Sequence, residues 1–435
     1  MLKIIIKSAR YWRINGTNRL LKRIKVEILS HTRTKKILAN NNQRKNLSVS
    51  DLLVSRFIIS NKMCVRHTNR ENTGRVNIIT DSVRAGSLFG GVGTALLFAA
   101  HLANRLGVQC RVITRTEEPD IQGVFNFYKL YDIKLQKELQ FKFEPCDNTG
   151  RGVDFTDEEL FITTSWWTTA STLTGVDPRK IIYLLQEDER MFYPYGDDWI
   201  KAHEIMSNED IFIVVNTKIL FDHFVAHGFV NIIKNDAWFE PAFPMHIYHI
   251  TERQEKKKNF FFYARPNNPR NLFYFGLKVI DDAIMLGIIN TSEWNIIIVG
   301  SDIPEIEFFG KICPVRYDKM PWNEYSKLLG KIDVGLSLMC TPHPSYPPLD
   351  LAASGAVVVT NKFGLKQNLS KYSQNIICSD LNLGDMLSAI DTAIKLSENK
   401  NEKNKNYHNA PLEHSWDHSF TKVLDQICGE IYDRI

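Results

Sequence analysis

The chain has 435 residues, 44% hydrophobic and 24% charged, which suits a globular protein with room for two or three domains, each burying its own core. Its formal charge is only +5 and its seven cysteines stand singly, with no CxxC and no Cys/His cluster; this argues against a disulfide framework or a zinc module and for reduced thiols in a cytoplasmic compartment. No apolar run approaches the roughly 18 residues of a membrane span, and the opening MLKIIIKSARYWRI is too short in its apolar part for a secretory signal.

The charge is unevenly spread. Residues 1–74 hold 17 Lys/Arg against three acids (Glu27, Asp51, Glu71), or +14, so residues 75–435 carry −9. This basic N-terminal extension includes YWRINGTNRLLKRIKVEIL, which as a helix suits the headgroup layer of an anionic membrane surface; a solvated basic tail fits equally well. Nucleic acid is the weakest partner, since no RNP-like strand or aromatic ladder accompanies the charge.

From Arg75 the texture becomes short apolar runs alternating with amphipathic stretches. Strands are predicted at Val76–Thr80, Val112–Thr114, Leu160–Thr163, Ile181–Leu185 and Ile211–Val215, with helices at Leu96–Leu106 and Ile219–His227. Such runs indicate strands buried on both faces of a parallel sheet. Between the first strand and its helix lies GGVGTA (Gly90, Gly91, Gly93, Thr94). Small residues there let backbone amides approach an anion at a helix N-terminus. A dinucleotide fingerprint would put a third glycine at Leu96 and start at the strand end; Glu117 or Glu118 then supplies the ribose acid, and a plain tight turn is the remaining reading. Further on, TTSWWTTAST carries Trp166 and Trp167 after a strand. YLLQEDERMFYP brings Gln186, Glu187, Asp188, Glu189 and Tyr193 to another strand end. Glu187 or Glu189 could hold a substrate hydroxyl or take its proton. Trp166, Trp167 and Tyr193 are candidate stacking platforms, one of the two tryptophans being expected in the core.

TERQEKKK (251–258) reads as a linker, after which the alternation restarts. Strands are predicted at Phe260–Ala264, Asn295–Val299, Val334–Leu338 and Ala356–Val359. Helices follow at Leu272–Leu286, Trp322–Leu329 and Leu349–Ser354; 399–406 reads as a polar loop and 416–435 as a final helix. The fold class is therefore α/β, two Rossmann-like domains (75–250 and 259–415) facing across a cleft, with ligands expected at the carboxyl ends of the strands. Arg265 and Arg270, flanking Asn268, leave such a strand end and form a candidate phosphate clamp. In PHPSYPPLDLAASG, proline suits a first helical turn. The amides near Ser345 and Tyr346 would face an anion, and Asp350 would accept hydrogen bonds from a ribose.

This order of features resembles the C-terminal domain of the GT-B glycosyltransferases, and within them the retaining group with an E-x7-E motif. PHPSYPPLDLAASG, ARPNNPRN and YLLQEDERMFYP together resemble the WsaF-type rhamnosyltransferases of bacterial surface-glycan assembly, over about residues 75–430. The resemblance implies that Arg265 and Arg270 contact a donor diphosphate, that Asp350 holds the ribose, that Gly90, Gly91 and Gly93 face the donor phosphates, and that transfer retains configuration. Where the first glutamate of the motif would stand the chain has Pro342, so His343 or the loop backbone takes over beside the sugar, or the donor sugar is contacted differently. Glu187 or Glu189 would then contact the sugar or the acceptor, and Trp166, Trp167 and Tyr193 are acceptor candidates. The expectation is a metal-independent glycosyltransferase without a cofactor, cytoplasmic and peripheral on the membrane's inner face, using dTDP-rhamnose as donor and a lipid-linked glycan as acceptor. An NAD-dependent oxidoreductase and a non-catalytic carbohydrate-binding member of an assembly complex are the alternatives.

Overall fold

The computed structural model describes residues 48–430 apart from 69–73, 85–87, 89, 148 and 253–255. The proposed membrane-surface helix, the rest of segment 1–47 and the end of the final helix lie outside the described residues. In chain order the strands are β1 (Val65–His67), β2 (Arg75–Thr80), β3 (Gln109–Thr114), β4 (Leu139–Phe143), β5 (Val153–Phe155), β6 (Leu160–Thr163), β7 (Ile181–Leu185), β8 (Phe212–Asn216) and β9 (Trp238–Phe239). They continue with β10 (Lys258–Ala264), β11 (Trp294–Gly300), β12 (Val315–Asp318), β13 (Val334–Leu336), β14 (Val357–Asn361) and β15 (Ile376–Ser379).

Beside a two-stranded sheet of β1 and β5, the described residues form two large parallel sheets, ordered β4-β3-β2-β6-β7-β8-β9 and β12-β11-β10-β13-β14-β15. In both, the order reverses beside the first strand, between β2 and β6 and between β10 and β13. That reversal opens a crevice at the strand ends where ligands bind in doubly wound sheets. Every residue of β2, β7, β8 and β14 is buried, as strands covered by helices on both faces require; β2 carries Arg75 and Asn77 inside, both bonded to Glu159.

Several expectations shift. The first helix runs Gly91–Leu106 and so begins inside the glycine loop, five residues before Leu96. Residues 399–406 are no loop: Lys400–His408 is a helix whose N-terminus is capped by the Asn399 side chain. It buries none of its residues, which is why no apolar period betrays it. Part of the extension is folded too. Ser48 caps a helix at Val49–Arg56, Met63 is buried, and β1 pairs with β5, so the first domain takes in residues that precede Arg75. Lys258, expected in the linker, opens β10.

The helix Trp416–Glu430 leaves the second domain and packs on the first. Trp416, Phe420, Val423, Leu424 and Ile427 join the core formed by β2, β3 and helix Gly91–Leu106. Phe420 is wholly buried, with ring centres 5.1 Å from Phe98 and 5.0 Å from Phe239, a burial that contributes about 2 kcal/mol.

Candidate functional site

The two sheets turn their carboxyl ends toward each other, and the side chains there bond across the gap. From the first domain, β7 delivers Gln186 and Glu187 and β8 delivers Asn216. From the second come Arg270, beyond β10, and the loop 337–345 beyond β13. Glu187 Oε2 accepts from Arg270 at 2.7 Å, and the Thr341 hydroxyl lies 2.8 and 2.7 Å from the two carboxylate oxygens. The Arg270 guanidinium also lies 4.7 Å from the Phe192 ring centre. Burial raises the Glu187 pKa, while Arg270 and Thr341 pull it down.

Tyr346 makes a second link. Its hydroxyl meets Thr94 Oγ1 at 2.5 Å and accepts from Asn216 Nδ2 at 2.8 Å, and Gln186 Nε2 closes the circuit by donating to the Gly91 carbonyl at 2.6 Å. Beside it lies a small cleft walled by Gly90, Thr94, Tyr131, Tyr248, Trp322 and Asp350, among others. Asp350 is buried, with Oδ1 lacking any hydrogen-bond partner. Desolvation among Tyr131, Tyr248, Tyr263, Tyr325 and Tyr346 pushes its pKa up to about 8, against hydrogen bonding from Tyr248. A ligand bringing hydroxyl donors would supply the missing partner.

The expected residues thus divide. Thr94, Tyr346 and Asp350 line the cleft, while Glu187 and Arg270 pair with each other across the domains. Arg265 is exposed just past β10, its guanidinium bonded to Tyr263. Asn268 serves its own turn, its side chain accepting from the Arg270 amide at 3.2 Å. The Ser345 amide is not open to an anion, because it donates to His343 Nδ1 at 2.9 Å. That bond leaves the proton of a neutral imidazole on Nε2, which is buried without a partner, and burial beside Lys366 lowers the His343 pKa to about 3.

Gly90 has φ +79° and faces Tyr346, so it keeps its place at the cleft. Gly93 lines the same cleft, but an added Cβ there would stand 2.4 Å from the Leu88 carbonyl and 2.9 Å from Phe127. Its smallness serves helix packing, not phosphate. Of the proposed dinucleotide acids, Glu117 is engaged by Ser82 and by Arg84 at 2.9 Å.

Glu189 is also removed from the cleft. It is 4% exposed, and its Oε2 accepts from the Trp166 amide at 2.6 Å, at the start of helix Trp166–Leu173. Trp166 is core, its indole bonded to the Tyr193 hydroxyl at 3.1 Å. Trp167 is half-buried and donates to Asp81. Burial pushes the Glu189 pKa from 4.5 up to about 8. The folded state therefore holds a proton that the unfolded chain has released, and stability falls as pH rises from 4.5 to about 8. Glu189→Gln should flatten that slope and gain about 2 kcal/mol at pH 8 relative to its effect at pH 4, read from urea midpoints at both pH values. Parallel slopes for variant and wild type would refute a protonated Glu189.

Lys366 was invisible to sequence reasoning. It follows β14 in a turn closed by pairing of Phe363 with Lys366, is fully buried, and donates to the Met339 carbonyl at 3.1 Å. Burial lowers its pKa to about 8, with Cys378 and Glu187 acting in the opposite sense. Among the described residues no group of three or more His, Cys, Asp or Glu side chains could hold a metal ion, and no helix is long and apolar enough to cross a membrane.

Residues 75–218 match the family model described as WsaF, N-terminal domain, and residues 258–391 match WsaF, C-terminal domain. A curated relative, the O-antigen biosynthesis protein RfbC of Myxococcus xanthus, is 26% identical over 239 residues; that covers 54% of this chain but only 18% of RfbC. Among solved structures, trehalose 6-phosphate synthase from Burkholderia multivorans aligns with a TM-score of 0.54 at 11% identity, over 82% of this chain and 99% of the other. A glycosyltransferase from Rickettsia africae gives 0.53 at 13%, over 84% and 100%. Anabaena HepE in complex with UDP-glucose gives 0.51 at 10%, over 83% and 98%. The shared architecture is the GT-B fold.

Proposed function

Because the chain belongs to the WsaF family of glycosyltransferases, we propose that it transfers a sugar from a nucleoside diphosphate donor to a glycan of the bacterial surface, without a cofactor. The observation that carries this reading is the buried Asp350, one carboxylate oxygen without a partner, in a cleft lined by Gly90, Thr94 and Tyr346. A ribose would give Asp350 its missing donors, and guanidinium would neutralise charge on the departing diphosphate. In transfer, the bond from the anomeric carbon to the phosphate oxygen breaks with its electron pair going to the diphosphate. The acceptor hydroxyl oxygen forms the new bond and loses its proton, and Glu187 is the carboxylate nearest that role. Protein cations, not a metal, are proposed to meet the leaving charge.

The finer assignment is L-rhamnose from dTDP-rhamnose onto a lipid-linked glycan at the cytoplasmic face of a membrane. It is supported by the WsaF match, by RfbC and by the basic stretch 1–74. Calorimetric titration with dTDP, UDP, GDP and dTDP-rhamnose tests the donor. Binding should release a proton from Asp350, so affinity for the preferred nucleotide should rise with pH up to about 8 and become nearly flat in Asp350→Asn. Tight binding of UDP or GDP in place of dTDP would overturn the rhamnose assignment. Failure of every nucleotide to bind would overturn the donor reading itself.

A further inference from the structure

We propose that Glu187 is an internal stand-in for a phosphoryl group: its carboxylate occupies an anion site formed by Arg270, Thr341 and Lys366, and the phosphate of an incoming nucleoside diphosphate displaces it. The inference rests on the donor reading above and goes beyond it, assigning Lys366 to the donor site and a competitor to the donor's phosphate.

Glu187 comes from the first domain, yet its bonds to Arg270 and Thr341 are made to donors of the second. Guanidinium and a hydroxyl converging on two oxygens form the donor set that a phosphate takes. Lys366 adds a second cation behind them. It is fully buried and bonded to one carbonyl, and among the described residues no carboxylate stands within ion-pair distance of its ammonium. A buried ammonium without a counter-ion is costly, and its field reaches both Glu187 and His343. His343 points the same way, since its buried Nε2 has no partner. The loop after β13 and the turn after β14 therefore hold more donor capacity than one carboxylate uses. A phosphate carries more negative charge and more acceptor oxygens than a carboxylate, so it engages the unused donors when it arrives. Glu187, once released, is free to face the sugar or the acceptor.

The test is the affinity of the intact protein for dTDP and UDP, measured by calorimetry for wild type, Glu187→Gln and Lys366→Met, with inorganic pyrophosphate and glucuronic acid as competing probes. Removing the competitor should tighten binding of the preferred nucleotide about tenfold in Glu187→Gln, and pyrophosphate should tighten in parallel. Lys366→Met should weaken both about tenfold. Glu187 is 19% exposed and glutamine keeps its shape, so this variant decides the matter even if Lys366→Met folds poorly. Unchanged or weakened nucleotide binding in Glu187→Gln overturns the proposal while leaving the donor reading intact. Tightening of glucuronic acid alone would assign the site to an acidic sugar and also overturn it. If wild type binds no nucleotide, both readings fall.

Discussion

Arg270→Ala is expected to lower kcat/KM for sugar transfer by about 10³-fold, the scale at which loss of a single charge-stabilising group acts on a developing anion. The same substitution strips Glu187 of its counter-ion at a site where both side chains are less than a fifth exposed, which should cost about 2 kcal/mol of stability. The two effects separate in a double variant. Arg270→Ala with Glu187→Gln should recover most of the stability, because no unpaired charge remains, and none of the activity. Arg270→Lys keeps the charge but loses the planar fork and the stacking on Phe192, and should fall between, about 30-fold below wild type. Steady-state kinetics and urea midpoints on the four proteins decide it. A kcat/KM for Arg270→Ala within threefold of wild type would remove this arginine from the donor site.

The largest effect on stability is expected at Gly300, the last residue of β11. It pairs with Ala264 at the end of β10, and a Cβ built there would lie 1.7 Å from the Ala264 carbonyl oxygen and 2.7 Å from its carbon. No flexible side chain can yield, since the obstacle is main chain. Gly300→Ala should therefore cost about 4 kcal/mol, in the range of overpacked cores. Arg265 follows Ala264 directly, so strand displacement here also shifts that guanidinium. Chemical denaturation gives the loss, and a change under 1 kcal/mol would mean that the two strand ends part easily.

The sheets were legible where the physics is local. β7, β8 and β14 are buried on both faces, so their sequences carry apolar runs of three to five residues. β12 is exposed along its whole length and β9 has two residues, and neither left a periodic trace. The helix Leu383–Glu398 went unread although it buries Met386, Ala389, Ile390 and Ala393. Its apolar positions do repeat at helical spacing, and that signal was available. The site was legible residue by residue more than as an arrangement. Glu187, Arg270 and Asp350 could be picked from strand-end position and charge. Their pairing could not, because Glu187 and Arg270 are 83 positions apart and meet only when two domains face each other. Glu189 and Ser345 misled for a related reason: a carboxylate and an amide beside a strand or helix end look available until the fold assigns them partners. Lys366 sits in an ordinary polar turn, and only tertiary burial distinguishes it from the lysines around it.

The path of helix Trp416–Glu430 bears on how the molecule comes into being. The first domain seals its core with side chains that the ribosome adds only after the whole second domain has been made. Until then Phe98 and Phe239 lack the Phe420 ring that covers them, and the nascent first domain presents an open apolar seam through the synthesis of more than 170 residues between Phe239 and Trp416. Domains usually complete themselves in order of synthesis. Here the first to emerge is the last to close, so a chain interrupted just before Trp416 holds a whole second domain beside a first one that is still open.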